Sequence, residues 1–330
     1  MNLKLDLGTL NRLLKAVILM AFAWLIWHLS QDQKTLSVLS AELRDQIRHG
    51  NKLLVAAVIA LMPVNWLLES MKWRALNRPI HQISLTRALK AVLMGLTISI
   101  FTPARIGEYL GRIINIRPRD KWKALAAQLI GSMMQLVLLM LAGLWGLSII
   151  ARESAGQNMP DQRALLAVAG IILLLLLMLL RVPRILHWIR VKLSMPRLRD
   201  LMQQMHFISN YSGQSMTVIA SITLFRLAIY VFQYWLLLQF FGLEIRAPLA
   251  VAAILATYLI QSGLPLPLLL GLFARGEVTL LVWKFFPVNE LTLLSASYAL
   301  WVINVFLPAL IGLGFLLKTD FLKSFGFEKK

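Results

Sequence analysis

The sequence predicts an all-α polytopic integral membrane protein, with about six spanning helices and two re-entrant helical hairpins related as inverted repeats. Three observations carry this. The first is composition: 58% of the 330 residues are hydrophobic and only 15% charged, against about 45–50% and about 25% in a soluble domain. The second is the recurrence of apolar runs near the length of about 20 residues that a spanning helix needs. The third is the lopsided placement of the 34 Lys and Arg residues, which outnumber 15 Asp and Glu to give a net charge of +19. A nucleic-acid binder needs a water-exposed basic face, and most of this chain cannot face water, so that class of partner is excluded. Cysteine is absent, which removes disulfides, thiolate metal sites and Cys nucleophiles.

The elements follow in order. Lys4 and Arg12 precede the first apolar run, Leu13–Leu29, and Lys15 stands at its start. No small-x-small cleavage site follows it, so it reads as a retained span rather than a signal peptide. The further spans are Lys52–Leu76, Lys123–Ile150, Arg163–Leu180, Ser215–Phe241 and Leu291–Leu317. Two apolar regions are broken: Leu85–Ile116 at Pro103, and Pro248–Phe286 at Gly263, Pro265, Pro267 and Gly271. Breaks of this kind are tolerated in a bilayer where the freed backbone is buried in protein or lines a cavity, and each region is expected to be a hairpin returning to the side it entered from. Ser30–Gly50 and Arg181–Ser209 mix basic and apolar residues as amphipathic surface helices do; 181–211 is the basic linker between the halves. The whole of 1–330 is expected to be one transmembrane domain.

Orientation follows from the cations. With the N-terminus inside, segments 1–15, 72–123, 181–211 and 318–330 hold 24 Lys and Arg, against 9 in segments 30–52, 151–163 and 242–290. The positive-inside rule then puts both termini in the cytoplasm. The expected location is a bacterial-type inner membrane.

A shift of about 170 residues brings two halves, 52–150 and 213–317, into register. Trp66 precedes Arg105 by 39 positions and Trp235 precedes Arg275 by 40. Ala104-Arg105-Ile106-Gly107-Glu108 answers Ala274-Arg275-Gly276-Glu277, and the long span after each carries glycine near its far end, Gly143 in one and Gly312 with Gly314 in the other. The first hairpin enters from inside and the second from outside. Inverted repeats of this kind build many transporters, with the substrate between broken helices.

An ionisable group at membrane depth costs about 2.5–3.5 kcal/mol even on a lenient scale, so the buried charges mark candidate sites. Thr102 reads as a helix N-cap and Pro103 as the first helical residue; Arg105, Glu108 and Arg112 then share one face. An Arg fork suits a phosphate, while Glu108 pairs with it or binds a cation; the alternative is an ion pair that only fastens the hairpin. Arg275 and Glu277 form the second cluster. Arg226, mid-span, needs a partner among Glu69, Glu108 and Glu277. Trp73 and the Lys72/Arg74 pair read as an interface belt, and Asn304 and Gln128 as interhelical hydrogen-bonding residues. The five histidines are scattered, and no metal site, P-loop or nucleophile elbow is present in the sequence. No cofactor is expected.

The chain resembles the flippase-like transmembrane domain of lysylphosphatidylglycerol synthase and its stand-alone relatives. The resemblance spans nearly the whole chain and rests on Pro103-x-Arg105-x-Gly107-Glu108 and on Pro265-x-Pro267 followed by Gly271 and Arg275-x-Glu277. Arg112 falls one residue late, after Gly111, against the family's P-x-R-x-G-E-x-x-R. The family's Gly-Gly pair is replaced by Leu268 and Leu269. The resemblance implies a lipid-translocating membrane domain, without the aminoacyl-transferase domain that makes the lysyl-lipid. Its implied partner is a membrane phospholipid or polyprenyl-linked lipid, with homo-oligomerisation left open. Arg105, Glu108, Arg112, Arg226, Arg275, Glu277 and Glu69 are the expected headgroup residues. An integral-membrane enzyme acting on a lipid carrier, with Glu108 as base, and a non-transporting partner of a lipid-modifying synthase are the alternatives.

Overall fold

The computed structural model describes residues 7–31, 46, 48–114, 116–153, 162–181, 206–264, 266 and 270–320. Nearly all of Ser30–Gly50 and Arg181–Ser209, read above as surface helices, lies outside the described residues. Those described fold entirely into helices and short turns, with no strand among them. In order these are α1 (Leu7–Gln31), α2 (Lys52–Asn77), α3 (Leu85–Ser99), α4 (Ile106–Ile113), α5 (Lys121–Glu153), α6 (Gln162–Leu180), α7 (Gly213–Phe240), α8 (Ala247–Ser262), α9 (Leu270–Trp283) and α10 (Glu290–Leu317). A helix covers each of the six expected spans. Among the described residues, α2, α7, α10 and α5 with its leading turn are long and apolar enough to cross a membrane.

Outward faces are as apolar as inward ones. Ile171, Leu174 and Leu177 on α6 and Phe225 on α7 are all exposed. Helices that are hydrophobic all round belong in lipid. The chain is a multi-pass helical membrane protein.

Local chemistry sets the ends. Asn51, Ser84, Ser212 and Asn289 cap α2, α3, α7 and α10 through their side chains. In the first broken region α3 stops at Ser99 and α4 starts at Ile106, one turn around Pro103 lying between them. In the second, α8 ends at Ser262 and α9 begins at Leu270. Thus both broken regions contain two short helices, divided where proline and glycine interrupt the apolar run.

The α3–α4 pair packs without room for side chains. A Cβ on Gly111 would lie 2.3 Å from Gly95 Cα. The residue that interrupts the family spacing is therefore the contact point of the hairpin. The long helices cross over to the opposite half. A Cβ on Gly146 of α5 would meet Ala252 O of α8 at 2.4 Å, and one on Gly312 of α10 would meet Leu93 O of α3 at 2.2 Å. With α2 lying along α7, helices α2–α5 and α7–α10 interlock, each group's last helix packed on the other's broken region. At the bundle edge, the Tyr211 hydroxyl donates to the Leu76 carbonyl, and burial pushes this phenol above its usual pKa.

Inside α10 the backbone loosens into one π-helical turn, Val302–Phe306, just before Pro308. Proline has no N–H to give the preceding turn, and widened turns of this kind favour functional sites. The turn contains Asn304, fully buried, whose Oδ1 accepts from Asn65 Nδ2 at 3.2 Å.

Candidate functional site

A cavity of about 460 Å³ lies between the two halves. Four elements of the first half and four helices of the second, α7 to α10, bring it together. Glu69 comes from α2, Arg105 from the turn before α4, Glu108 and Arg112 from α4, Arg226 from α7 and Arg275 from α9. Six of the seven residues expected from sequence thus line one space.

Glu69 is the hub. Its Oε1 lies 2.8 Å from Arg112 Nη2, and its Oε2 lies 2.7 Å from Lys72 Nζ and 2.9 Å from Arg226 Nη1. The Glu69 side chain is only 3% exposed, so these charges sit in a medium where separation would be costly. Glu108 pairs with Arg105, three residues earlier, and more loosely with Arg112 at 3.4 Å. Amides complete the shell: Arg112 Nη1 donates to Gln128 Oε1 at 2.8 Å, Lys72 Nζ to Gln135 Oε1 at 2.9 Å, and Arg226 Nε to Asn65 Oδ1 at 2.9 Å. Indole faces add cation–π contacts, with Trp66 5.5 Å from the Arg226 guanidinium and Trp73 6.0 Å from that of Arg112.

Arg105 differs from the expected helical residue. It closes a single tight turn, Pro103–Arg105, and adopts a left-handed conformation, φ 58° and ψ 26°, the one positive φ among described non-glycine residues. Thr102 serves this turn rather than a regular N-cap: its Oγ1 accepts the Gly107 N–H at 2.8 Å. A non-glycine residue held there costs on the order of 1–3 kcal/mol, and such strain clusters at ligand sites.

Two expectations are corrected. Lys72 and Trp73 do not form an interface belt; they are 1% and 0% exposed, turned into the charge network, and only Arg74 of that group is exposed. Glu277 does not join the cavity; it is exposed. Arg105 and Glu108 are three residues apart and meet on one face, whereas Arg275 and Glu277 are two apart, which on a helix sends them to opposite sides. Their intervening Gly276 packs against the Tyr298 hydroxyl and Leu294.

Gln128, expected in the interior as an interhelical hydrogen-bonding residue, lines the wall and accepts from Arg112. Sequence reasoning missed the polar residues that continue from it and from Glu69: Ser132 and Gln135 complete an i, i+4, i+7 stripe on α5, and Asn65 and Lys72 flank Glu69 at the same spacing on α2. Polar residues at helical spacing within apolar spans were the available signal. Tyr230 and Tyr258 also line the cavity, and their spacing carried no such mark. No cluster of metal-ligating side chains occurs among the described residues.

Fold and site together define a class: a polytopic helical membrane protein built round a buried, charged cavity. The chain belongs to the family described as the lysylphosphatidylglycerol synthase TM region, whose model matches residues 12–312. It is therefore a membrane protein of a lipid-related family. No curated protein matches the chain.

Proposed function

We propose that the protein is a flippase-like lipid transporter that moves a polar headgroup between leaflets through this cavity while the acyl or prenyl tails stay in lipid. One observation carries the reading: the cavity is amphipathic. Its charged floor of Arg105, Glu108, Arg112 and Arg226 continues into an apolar flank that includes the exposed Leu136, Leu264 and Leu266. Its volume of about 460 Å³ suits a headgroup, small-ligand pockets running to about 300–1,000 Å³. In this reading the two broken regions are re-entrant hairpins of inverted repeats, within six spans and with both termini cytoplasmic. The reciprocal packing of α5 on α8 and α10 on α3 supports that symmetry. The chain does no covalent chemistry here; Glu69 and Glu108 hold the arginines in place and the arginines engage the headgroup. The membrane is a bacterial-type inner membrane.

The test is translocation of fluorescent phospholipids by the purified full-length chain in proteoliposomes. Arg226→Ala and Arg105→Ala should slow it by about ten- to a hundredfold, the worth of one charge-assisted contact. Glu277→Gln, outside the cavity, should match wild type. Unimpaired transport by a folded Arg226→Ala protein would overturn the assignment.

A further inference from the structure

We infer that the headgroup taken by this cavity is a phosphate carrying at least two negative charges, a monoester or diphosphate, rather than a zwitterionic, singly charged or cationic headgroup. This deepens the transport reading and rests on it only in taking the ligand to be a lipid.

Charge points to such a ligand. The cavity and its immediate backing hold five cations, Lys72, Arg105, Arg112, Arg226 and Arg275, against two carboxylates, Glu69 and Glu108. An amine on a ligand needs a free carboxylate, and none is on offer. Both oxygens of Glu69 and both of Glu108 already lie beside a cation. Meanwhile the Arg275 guanidinium has no ion pair among the described residues. Three positive charges are therefore in excess. A phosphodiester would neutralise one of them. A monoester, with a charge of about −1.5 to −2 near neutral pH, removes most of the excess, and a diphosphate could remove it all. Uncompensated buried charge is what such a site must avoid.

Hydrogen bonding points the same way, independently of the net charge. Four buried polar atoms of cavity-lining residues lack a hydrogen-bond partner: Glu69 Oε2, Arg105 Nε, Arg112 Nε and the Tyr258 hydroxyl. Glu69 Oε2 is already matched by Lys72 and Arg226 at 2.7 and 2.9 Å; the other three can donate, and Arg112 is 2% exposed. Buried donors left open in a native site call for an acceptor. A terminal phosphate presents three acceptor oxygens and can take a fork from each of several arginines. An esterified, doubly substituted phosphate presents fewer.

The experiment titrates the purified full-length chain with dioleoyl phosphatidate, phosphatidylglycerol, phosphatidylethanolamine and an aminoacylated cationic phosphatidylglycerol, all with the same tails. Glycerol 3-phosphate is added as the tail-free arm. Phosphatidate should bind at least about tenfold more tightly than the other three lipids, one additional charge-assisted hydrogen bond being worth a decade or more. Arg275→Gln, which breaks no ion pair among the described residues, should keep its thermal stability and narrow that gap. Equal binding of phosphatidylglycerol, preference for the zwitterion or the cation, or an unchanged gap in folded Arg275→Gln would overturn the inference. Glycerol 3-phosphate binding as well as phosphatidate would support the phosphate site and remove the lipid from the transport reading. Phosphatidate selectivity without translocation of labelled phosphatidate would likewise uphold the site and refute transport. Translocation without phosphate preference would do the reverse.

Discussion

At the scale of the residue, Glu69 holds most. One carboxylate compensates Lys72, Arg112 and Arg226 at distances of 2.7 to 2.9 Å. Glu69→Ala should destabilise the protein by about 3–5 kcal/mol, the usual penalty for stranding buried charge. Adding Lys72→Met should recover part of this, because one stranded cation is gone; thermal unfolding in detergent reads both. A loss no greater than that of Glu277→Ala would contradict the network. Most of these residues were legible in the sequence because a charge in an apolar run has few explanations. Arg105, Glu108, Arg112, Arg226 and Arg275 stood out for that reason. Lys72 did not, because a lysine beside Trp73 and Arg74 near a helix end looks like an interfacial anchor, and only the packing of α5 and α7 around it reveals otherwise. Glu277 misled for the opposite reason. The likeness of its motif to that of Glu108 hid a one-residue difference that reverses the direction of a helical side chain.

At the scale of the element, the α3–α4 pair depends on the absence of side chains. Gly111→Val would set new atoms against Gly95, where even a Cβ lies 2.3 Å from the facing Cα. It should cost about 1–3 kcal/mol or more as an overpacked contact. It should also displace Arg112, next in sequence, from Glu69. Binding of the headgroup should therefore fall along with thermal stability, whereas Gly314→Ala, with open space around it, should leave both unchanged. The breaks in both apolar regions were legible from proline and glycine alone. The left-handed Arg105 and the π turn at Val302–Phe306 were not. The first goes with a bond across five residues, from the Gly107 N–H to Thr102 Oγ1, and the second with one between helices, from Asn65 Nδ2 to Asn304 Oδ1; residue propensity encodes neither.

At the scale of the whole molecule, the halves are interlocked rather than side by side. Residues 1–190 expressed alone should fail to give a monodisperse species on size-exclusion chromatography. Co-expression with 191–330 should restore it, because α5 and α3 each find a main packing partner, α8 and α10, in the other half. A well-behaved N-terminal fragment would contradict this. The cation arithmetic also sharpens. Lys72, Arg105 and Arg112 belong to the network and Arg275 to the cavity wall, so the orienting bias becomes 21 against 8, still the same sign. The network is also divided unequally along the chain. Glu69, Lys72, Arg105, Glu108 and Arg112 all precede residue 113, whereas Arg226 and Arg275 come more than a hundred residues later. Chains are made N-terminus first. During synthesis the first half thus meets the membrane almost self-neutralised, its two carboxylates shielding three cations before any later helix exists. The second half contributes arginines without acids of its own in the cavity. The ribosome delivers the counter-charges first and the excess last, so the cavity acquires its attraction for anions only when the final helices close it.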